Sequence, residues 1–456
     1  MAIYVVGAAT AIVHVLVYKR NSRAAFGWLG LIITFPVAGA LLYALFGINR
    51  VARRAQQLSS EDSPVDGTGA VIQPSPHGSS MEQPGRNITR SDLAAGNVVT
   101  LLHNGEEAFP SMLEAIDSAQ REVLLCTYIF DNDDTGRQFI AKLAAARDRG
   151  CRVCVLVDDV GIRYSLPTII GELKKHGLDF RRFMPLRLFP PSFSINLRTH
   201  RKILLVDRRV AFAGGMNIGD RQLAEGSSRH RAADLHFRFS GPVVDSFLTQ
   251  FEQDWTFYKG ENLGQWHDAG PPAGQALCRV IPDGPDETLD SLMLVIMGAI
   301  SCARRRVWIM TPYFLPERQM MGCLQAAALS GVDVRVMIPA ENNWPIVQWA
   351  LQHNMAELLD AGVRIFQRPP PFAHSKCLLI DEGYSLVGST NLDPRSLRLN
   401  FELGVEVFDE GLNRELASHF ESVLPRCSEF THARLTDRRL LARMRDGASA
   451  LFSPYL

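Results

Sequence analysis

The feature that most constrains the fold of this chain is a signature that its sequence contains twice. Each copy begins with His-x-Lys on an apolar run, closes that run with Asp, and continues to an Asn ten residues further on. The two sets are His200, Lys202, Asp207 and Asn217, and His374, Lys376, Asp381 and Asn391. Every member of the second set stands 174 residues after its counterpart, and this register over four residue types indicates an internal duplication.

Helices and strands are predicted to alternate in the same order ahead of each signature. Helical stretches of roughly 10 to 15 residues are followed by short runs rich in β-branched residues, which is typical of α/β layers. The predicted elements, helix first, are 108–119, 122–130, 137–149 and 152–158 in the first copy, and 289–303, 306–313, 319–329 and 333–339 in the second. The sequence therefore predicts two duplicated α/β units with largely parallel strands, residues 94–272 and 273–456, and an active site at their interface.

Two apolar segments precede the duplicated part. Residues 24–48 carry no charge over 25 positions, a length that crosses a bilayer core, and residues 2–18 are apolar apart from His14. We therefore expect an N-terminal transmembrane helical hairpin over residues 1–48. A flexible linker is expected over 49–93, because much of that segment is polar and rich in Ser, Pro and Gly. Basic residues flank both ends of the longer apolar segment, so the sequence does not predict the orientation of the hairpin.

Charge and cysteine content narrow the class of protein. Lys plus Arg and Asp plus Glu number 48 each, whereas a protein that binds nucleic acid usually carries a basic surplus. The eight cysteines are scattered, and the only closely spaced pair, Cys151 and Cys154, points to opposite faces of a predicted strand, so no zinc site is expected. Free thiols are typical of a reducing compartment, which favours a cytoplasmic catalytic part.

The spacing within each signature predicts that its polar residues lie together. The His and the Lys stand two apart on a strand, so they share one face at roughly 6.5–7 Å along the strand. A two-residue turn at 208–209 would place Asn217 opposite His200, and the corresponding turn in the second copy would place Asn391 opposite His374. Small residues that would leave room for a ligand beside the backbone follow each turn: Gly214 and Gly215, and Gly388 and Ser389.

A doubled set of His, Lys and Asn suits the chemistry of a phosphodiester. A neutral imidazole can attack phosphorus, a protonated one can donate to the leaving alcohol, and lysines stabilise the charge of the transition state. A nucleophilic His also needs an acceptor on its other ring nitrogen. Asp234 and Glu402 are the candidates, 34 and 28 residues after the His of their own copy. No carboxylate cluster with metal spacing is found, so neither a metal ion nor a cofactor is expected.

The spacing His-x-Lys-x4-Asp followed by Gly-Gly-x-Asn or Gly-Ser-x-Asn resembles the paired signature of the phospholipase D superfamily. The stretches LLHNGEEAF, CTYIFDND, AGGMNIGD, TPYFLPE and STNLDPRSLRLNFE, with the N-terminal apolar segment, are similar to those of bacterial cardiolipin synthases. This resemblance extends over nearly the whole chain. The fold that it implies is a pair of phospholipase D-like α/β units behind the transmembrane hairpin.

The resemblance also implies residue roles. His200 would be the nucleophile of a phosphatidyl-histidine intermediate, and His374 the general acid and then the general base. Asp234 and Glu402 would orient the histidines. The residues that would hold the phosphate are Lys202, Lys376, Asn217 and Asn391. Asp207 and Asp381 complete the catalytic motif, with a role that is more structural than chemical.

The implied reaction makes cardiolipin and glycerol from two phosphatidylglycerol molecules at the bacterial cell (inner) membrane, in a multi-pass protein. A phospholipase D hydrolase or a head-group exchange enzyme differs only in the hydroxyl that it admits, so both remain alternatives. A phosphodiester nuclease shares the catalytic residues, but it would call for a basic groove and has no need of the apolar hairpin. A non-catalytic scaffold is disfavoured because both signatures are intact. The sequence does not predict the oligomeric state.

Overall fold

The computed structural model describes residues 2–19, 22–47, 76–185, 197–228, 230–256, 263, 271–285, 288, 290–436 and 438–453. These residues belong to two compact units, one ending at residue 47 and one beginning at residue 76. The second unit contains both signatures, so the two predicted α/β units are halves of one body.

The N-terminal unit is built from short apolar helices. They are α1 (Ala2–Tyr18), α2 (Ser22–Thr34) and α3 (Pro36–Leu42), and a π-helical turn, Tyr43–Gly47, follows. Pro36 has no backbone N–H to continue the preceding helix, so the predicted 25-residue span is divided at Phe35. Within the described ranges, no helix is long and apolar enough to cross a membrane, and the predicted transmembrane hairpin is not confirmed.

Part of the predicted linker is a helix packed on the second unit. Residues 48–75 lie outside the described residues, but α4 (Pro76–Thr89) is helical and buries Met81 in the core of the second half. Its Glu82 lies 3.0 Å from the guanidinium of the fully buried Arg279. The prediction of a flexible linker up to residue 93 was therefore wrong for this helix. Its polar composition does not allow it to fold alone, but tertiary contacts stabilise it.

The second unit is organised around one continuous sheet. Among the described residues this sheet has 15 strands in the order β17-β12-β11-β10-β14-β15-β16-β9-β1-β8-β6-β5-β2-β3-β4. The strands of the first half are β1 (Ala94–His103), β2 (Glu122–Thr127), β3 (Arg152–Asp158), β4 (Asp179–Phe183), β5 (Ile203–Val206), β6 (Val210–Gly214), β7 (Ala232–Ala233) and β8 (Leu235–Ser240). Those of the second half are β9 (Ala276–Asp283), β10 (Arg306–Met310), β11 (Asp333–Pro339), β12 (Arg364–Arg368), β13 (Phe372–Ala373), β14 (Cys377–Ile380), β15 (Tyr384–Gly388), β16 (Glu402–Phe408) and β17 (Ser428–Phe430).

The strand order confirms the duplication and corrects the predicted strand directions. Reading outward from the central β1–β9 pair, β8-β6-β5-β2-β3-β4 in one half mirrors β16-β15-β14-β10-β11-β12 in the other. Strands β2, β3 and β4 are parallel, as are β10, β11 and β12, because helices connect them. The strands that carry the signatures pair antiparallel with their neighbours, so the sheet is mixed rather than largely parallel.

Helices cover the sheet and complete a core in each half. They are α5 (Asn104–Ser118), α6 (Asp134–Asp148), α7 (Ile170–Lys175) and α8 (Val244–Thr256) in the first half. In the second half they are α9 (Ser291–Ser301), α10 (Arg318–Leu329), α11 (Pro345–Asp360), α12 (Pro394–Arg398), α13 (Glu410–Val423), α14 (His432–Thr436) and α15 (Leu440–Ala450). Each half buries its own cluster of aliphatic and aromatic side chains, which makes the signature strands a rigid support.

The turn inside each signature is longer by one residue than the sequence predicted. Ile203 pairs with Ala213, and Cys377 pairs with Val387, so three residues rather than two connect the strands. The predicted placement of each Asn directly opposite its His was therefore wrong by one position. Asp207 adopts a left-handed conformation with a φ of 51°, as Asp381 does with a φ of 48°, and this conformation accommodates the extra residue.

The aspartates of the signatures fasten these turns to neighbouring strands. The Asp207 carboxylate accepts hydrogen bonds from the backbone N–H groups of Gln120, Arg121 and Glu122 at 2.8–2.9 Å. Asp381 accepts from the backbone N–H groups of residues 304, 305 and 306 in the same manner. Each carboxylate thus binds the backbone N–H groups at the start of a strand, and this contact is structural, as the sequence predicted.

Candidate active site

A short parallel bridge brings the first histidine to the second half. Thr199 and Phe401 form this bridge. The backbone N–H of His200 donates to the Phe401 carbonyl at 2.8 Å, and the N–H of Phe401 donates to the Arg198 carbonyl at 2.8 Å. Since Glu402 follows Phe401 directly, the backbone itself places that carboxylate beside His200.

A second bridge does the same for the other histidine. Strand β13 pairs in parallel with β7, so that Phe372 lies beside Ala232. The backbone N–H of His374 donates to the Ala233 carbonyl at 2.8 Å, and Asp234 is the next residue. Each histidine is therefore joined to the other half by a parallel backbone bridge.

Each histidine is held by the carboxylate of the opposite half. The Nδ1 atom of His200 lies 2.9 Å from Oε1 of Glu402, and that of His374 lies 2.7 Å from Oδ2 of Asp234. The pairing predicted from the sequence, in which each carboxylate orients the histidine of its own copy, was wrong. Because each ionised carboxylate accepts a hydrogen bond from the Nδ1–H group, Nε2 is the atom of each neutral imidazole that can attack or accept a proton.

The charge state of these pairs follows from their burial. Desolvation lowers the pKa of His200 and of His374 to about 4, although the carboxylates beside them act in the opposite direction. Burial alone would raise the pKa of Glu402 and of Asp234, but the histidines that donate to them and the lysine charges around them outweigh it and lower both. At neutral pH the carboxylates are ionised and the imidazoles are neutral.

The two lysines of the signatures point into the same buried site. Nζ of Lys202 donates to the carbonyl of His200 at 2.6 Å, and Nζ of Lys376 donates to that of His374 at 2.6 Å and lies 3.1 Å from its Nε2. Burial lowers the pKa of Lys202 to about 7 and that of Lys376 to about 8. The crossed hydrogen bonds bring the two signatures to one site, and the charge of each lysine accordingly lowers the pKa of the histidine in the other half.

The balance of charge couples the binding of an anionic ligand to the uptake of a proton. With neutral imidazoles and both lysines protonated, the site holds two lysine cations and two carboxylate anions, so its net charge is zero. A phosphodiester would add one negative charge, which would raise the pKa values of the histidines and lysines around it. Protonation of one imidazole would then restore neutrality and provide a general acid.

The asparagines of both signatures are buried. Oδ1 of Asn217 accepts from the backbone N–H of Ile129 at 3.0 Å, which leaves its amide nitrogen able to donate to a ligand. Nδ2 of Asn391 donates to Oγ of Ser396 at 2.9 Å, and its buried Oδ1 has no hydrogen-bond partner. A 180° flip of the Asn391 side-chain amide would let the serine hydroxyl donate to Oδ1. Nδ2 would then be able to donate to a phosphate oxygen.

The small residues after each turn make room for neighbouring protein groups, not for a ligand as predicted from the sequence. Gly214 and Gly388 lie against the adjacent strand, and Gly215 and Ser389 lie against the orienting carboxylates. A Cβ atom on Gly215 would lie 2.6 Å from either carboxylate oxygen of Asp234. At the equivalent position Ser389 donates its hydroxyl to Oε2 of Glu402, and it accepts from the backbone N–H of Leu403 at 3.0 Å. This role of Ser389 was not predicted from the sequence. The difference between Gly-Gly in the first copy and Gly-Ser in the second could have indicated it.

Aromatic side chains border the histidines. The ring of Tyr128 meets the ring of His200 edge-on at 5.2 Å, and Nζ of Lys202 lies 5.7 Å from the Tyr128 centroid. Phe372 lies 5.9 Å from His374, and Tyr313 lies beside Phe372. The described residues contain no group of His, Cys, Asp and Glu side chains able to hold a metal ion.

The sequence matches a family described as "Cardiolipin synthase, PLD-like domain" over residues 112–255 and 296–424, so each match contains one signature. Residues 6–47 match a second family, described as "Phospholipase_D-nuclease N-terminal". A protein named cardiolipin synthase from Staphylococcus aureus strain Mu50 is 30% identical, and the alignment covers 96% of this chain and 92% of that relative. Another of that name, from Geobacillus kaustophilus strain HTA426, is 31% identical over 96% of this chain and 90% of its own length.

A solved structure supports the fold independently of sequence. The phosphatidylserine synthase of Haemophilus influenzae Rd KW20 superimposes with a TM-score of 0.64 over 82% of this chain and 100% of its own, at 14% identity. Because the PLD-like match covers both halves and the named relatives align over nearly the whole length, this chain belongs to the cardiolipin synthase family of phospholipase D-like enzymes.

Proposed function

We propose that this protein is a membrane phosphatidyltransferase that makes cardiolipin and glycerol from two phosphatidylglycerol molecules. The observation that carries the proposal is the crossed pair of buried histidines, each held on Nδ1 by a carboxylate of the other half. Two buried lysines beside them supply positive charge for a phosphodiester without a metal ion.

The first half-reaction forms a phosphatidyl-histidine intermediate. Nε2 of His200 attacks the phosphorus of the first phosphatidylglycerol, and the bond from phosphorus to the glycerol oxygen breaks. Protonated His374 gives its proton to that oxygen, and glycerol leaves. Lys202 and Lys376 stabilise the charge on the phosphoryl oxygens, and the freed asparagine amides donate to the same oxygens.

The second half-reaction reverses these roles. Neutral His374 takes the proton of the terminal hydroxyl of a second phosphatidylglycerol, and the oxygen attacks the phosphorus of the intermediate. The bond between phosphorus and Nε2 of His200 breaks, which releases cardiolipin and restores both imidazoles. Glu402 and Asp234 keep the rings in the tautomer that this exchange requires. Asp207 and Asp381 act from a distance by fixing the signature turns.

The lipid substrates lead us to place the protein at the bacterial cell membrane, with the catalytic unit on the cytoplasmic side. The N-terminal match over residues 6–47 and the apolar character of those helices support an anchor there. The many free cysteines support the cytoplasmic assignment, because such thiols persist in a reducing compartment. No nucleic acid is expected as a partner.

The test is product analysis with the purified full-length protein in detergent. Incubation with phosphatidylglycerol alone should give cardiolipin and free glycerol in equal amounts, as identified by mass spectrometry. His200→Ala should abolish both products. Phosphatidic acid as the only lipid product would refute the transferase and would indicate a hydrolase. A His200→Ala protein with the wild-type rate would remove the assigned nucleophile.

A further inference from the structure

Comparison of the two halves shows one arginine in two different electrostatic settings. In the first half, Nε of Arg221 lies 2.7 Å from Oδ2 of Asp131, and its Nη2 donates to Oδ1 at 3.1 Å. This guanidinium is neutralised by a buried carboxylate, and it packs over the ring of Tyr164 at 5.8 Å. Arg221 therefore has a complete structural role.

The second half repeats the backbone but lacks the carboxylate. The N–H of Asp131 donates to the carbonyl of Ile218 at 2.9 Å, and the N–H of Leu315 donates to that of Leu392 at 2.8 Å. Arg395 follows Leu392 by three residues, as the paired arginine follows Ile218. Leu315 thus occupies the position of Asp131, and its buried aliphatic side chain offers Arg395 no ion pair.

The guanidinium of Arg395 is available beside the active site. Within the ranges that the structure describes, it makes no hydrogen bond and no salt bridge, although the residue is half-buried. Burial raises the pKa of Tyr128 and of Tyr313, and the positive charge of Arg395 acts against that increase at both tyrosines, one from each half. The short helix Pro394–Arg398 is tied to the signature by the 2.9 Å hydrogen bond from Asn391 to Ser396, the residue after Arg395, so Arg395 lies at the border of the site.

The nearest acidic residue in sequence does not satisfy this arginine. The carboxylate of Asp393 accepts from the backbone N–H of Ser396 at 2.7 Å and caps the short helix that carries Arg395. Burial raises the pKa of Asp393 to about 7, and the charge of Arg395 only moderates that rise. An arginine that is partly desolvated without an acceptor costs free energy, so a ligand that supplies one is expected to bind it well.

We infer that Arg395 binds the phosphodiester of the acceptor phosphatidylglycerol, the lipid whose hydroxyl attacks the intermediate. This inference rests on the proposed function. The attacking hydroxyl of that lipid is joined to its own phosphate by one glycerol unit, so the phosphate must lie just outside the histidine pair. Guanidinium recognises a phosphate through two parallel hydrogen bonds. Water and free glycerol carry no phosphate, so Arg395 would favour cardiolipin formation over hydrolysis or glycerol exchange.

The test compares two acceptors that share one donor. The purified full-length protein receives phosphatidylglycerol and isotopically labelled glycerol, and mass spectrometry follows cardiolipin and labelled phosphatidylglycerol together. Both products arise from the same intermediate, but only cardiolipin needs an acceptor that carries a phosphate. In Arg395→Gln the ratio of cardiolipin to labelled phosphatidylglycerol should fall by about 10- to 100-fold, the value of a charge-assisted hydrogen bond. The KM for the acceptor lipid should rise, and Arg395→Lys should restore part of the ratio.

Arg398→Gln is the matched control, because Arg398 lies on the same short helix but binds Asp290 and Glu317 at 3.3 and 3.0 Å. Its product ratio should equal that of the wild type. An Arg395→Gln protein that is folded by its thermal unfolding midpoint, and whose ratio is unchanged or whose two products fall equally, would overturn the inference. A wild-type protein that labels phosphatidylglycerol but makes no cardiolipin would overturn the proposed function itself, before any variant is considered.

Discussion

Replacing Glu402 with Gln should impair the chemistry of His200, although the two residues are separated by 202 positions in the chain. The crossed arrangement leaves Asp234 to orient His374. Glu402→Gln should therefore slow attack on phosphorus, whereas Asp234→Asn should slow proton transfer to the leaving group. These two variants change one atom each at equivalent positions, so each serves as the control for the other.

The expected size of each effect follows from the contact that is lost. The Glu402 carboxylate accepts from Nδ1 of His200 at 2.9–3.0 Å in a buried site, and from the hydroxyl of Ser389. A buried hydrogen bond to a charged group contributes about 1.5–3 kcal/mol, which corresponds to about 10- to 150-fold in rate. An amide in place of the carboxylate also favours the wrong tautomer of the imidazole, so we expect about 100-fold, near the upper end of that range.

Two donors with different leaving groups separate the two histidines. Phosphatidylglycerol releases an alcohol that needs a proton, whereas a p-nitrophenyl phosphatidyl ester releases an anion that does not. Rapid-quench measurement of the first turnover should show that Glu402→Gln slows both donors about 100-fold. Asp234→Asn should slow phosphatidylglycerol by a similar factor and the p-nitrophenyl ester by less than about tenfold. Mass spectrometry of the quenched protein should find the phosphatidyl group on His200. The crossed pairing would be refuted if the phosphatidyl group is found on His200 but its formation is slowed by Asp234→Asn and not by Glu402→Gln.

Further predictions concern pH and stability. Because the two site lysines have pKa values lowered to about 7 and 8, kcat/KM should fall as pH rises through that interval and they lose their charge; a profile that stays flat to pH 9 would contradict this. Asp207→Ala should lower the free energy of unfolding by about 1.5–3 kcal/mol, because three backbone N–H groups lose their acceptor; an unchanged midpoint of thermal unfolding would exclude that role. Arg279→Leu should cost about 3–5 kcal/mol, since Glu82 and Glu406 would remain buried without their partner, whereas exposed Arg305→Leu should leave the midpoint nearly unchanged.

The duplication, its α/β class and the residues of the site could be predicted from the sequence because they are encoded locally. Identical spacing of His, Lys, Asp and Asn needs no knowledge of tertiary structure. The crossed pairing could not be predicted in this way, because Asp234 follows His200 and Glu402 follows His374 at spacings that suit either arrangement. Only the parallel bridges, which depend on how the halves pack, decide between them.

The same distinction explains the other errors. The turn after β5 has three residues because Asp207 is held in a left-handed conformation by backbone groups that are distant in sequence. The helix Pro76–Thr89 resembles a linker by composition, and it is ordered by burial of Met81 and by the contact of Glu82 with Arg279. In each case a tertiary contact overrides the local preference, and a single sequence does not contain that contact in readable form.

The crossed carboxylates also constrain how the copies could diverge. Because each half supplies the acid that orients the histidine of the other, neither half holds a complete set of catalytic groups, and changes at Asp234 or Glu402 affect both. The copies differ at a position that does not take part in the crossed pairing. Asp131 in the first copy corresponds to Leu315 in the second, so Arg395 lacks the ion pair that Arg221 makes. This difference between the two arginines lies at the border of the site. The proposed reaction must distinguish two lipids there, since one reacts at phosphorus and the other at a hydroxyl.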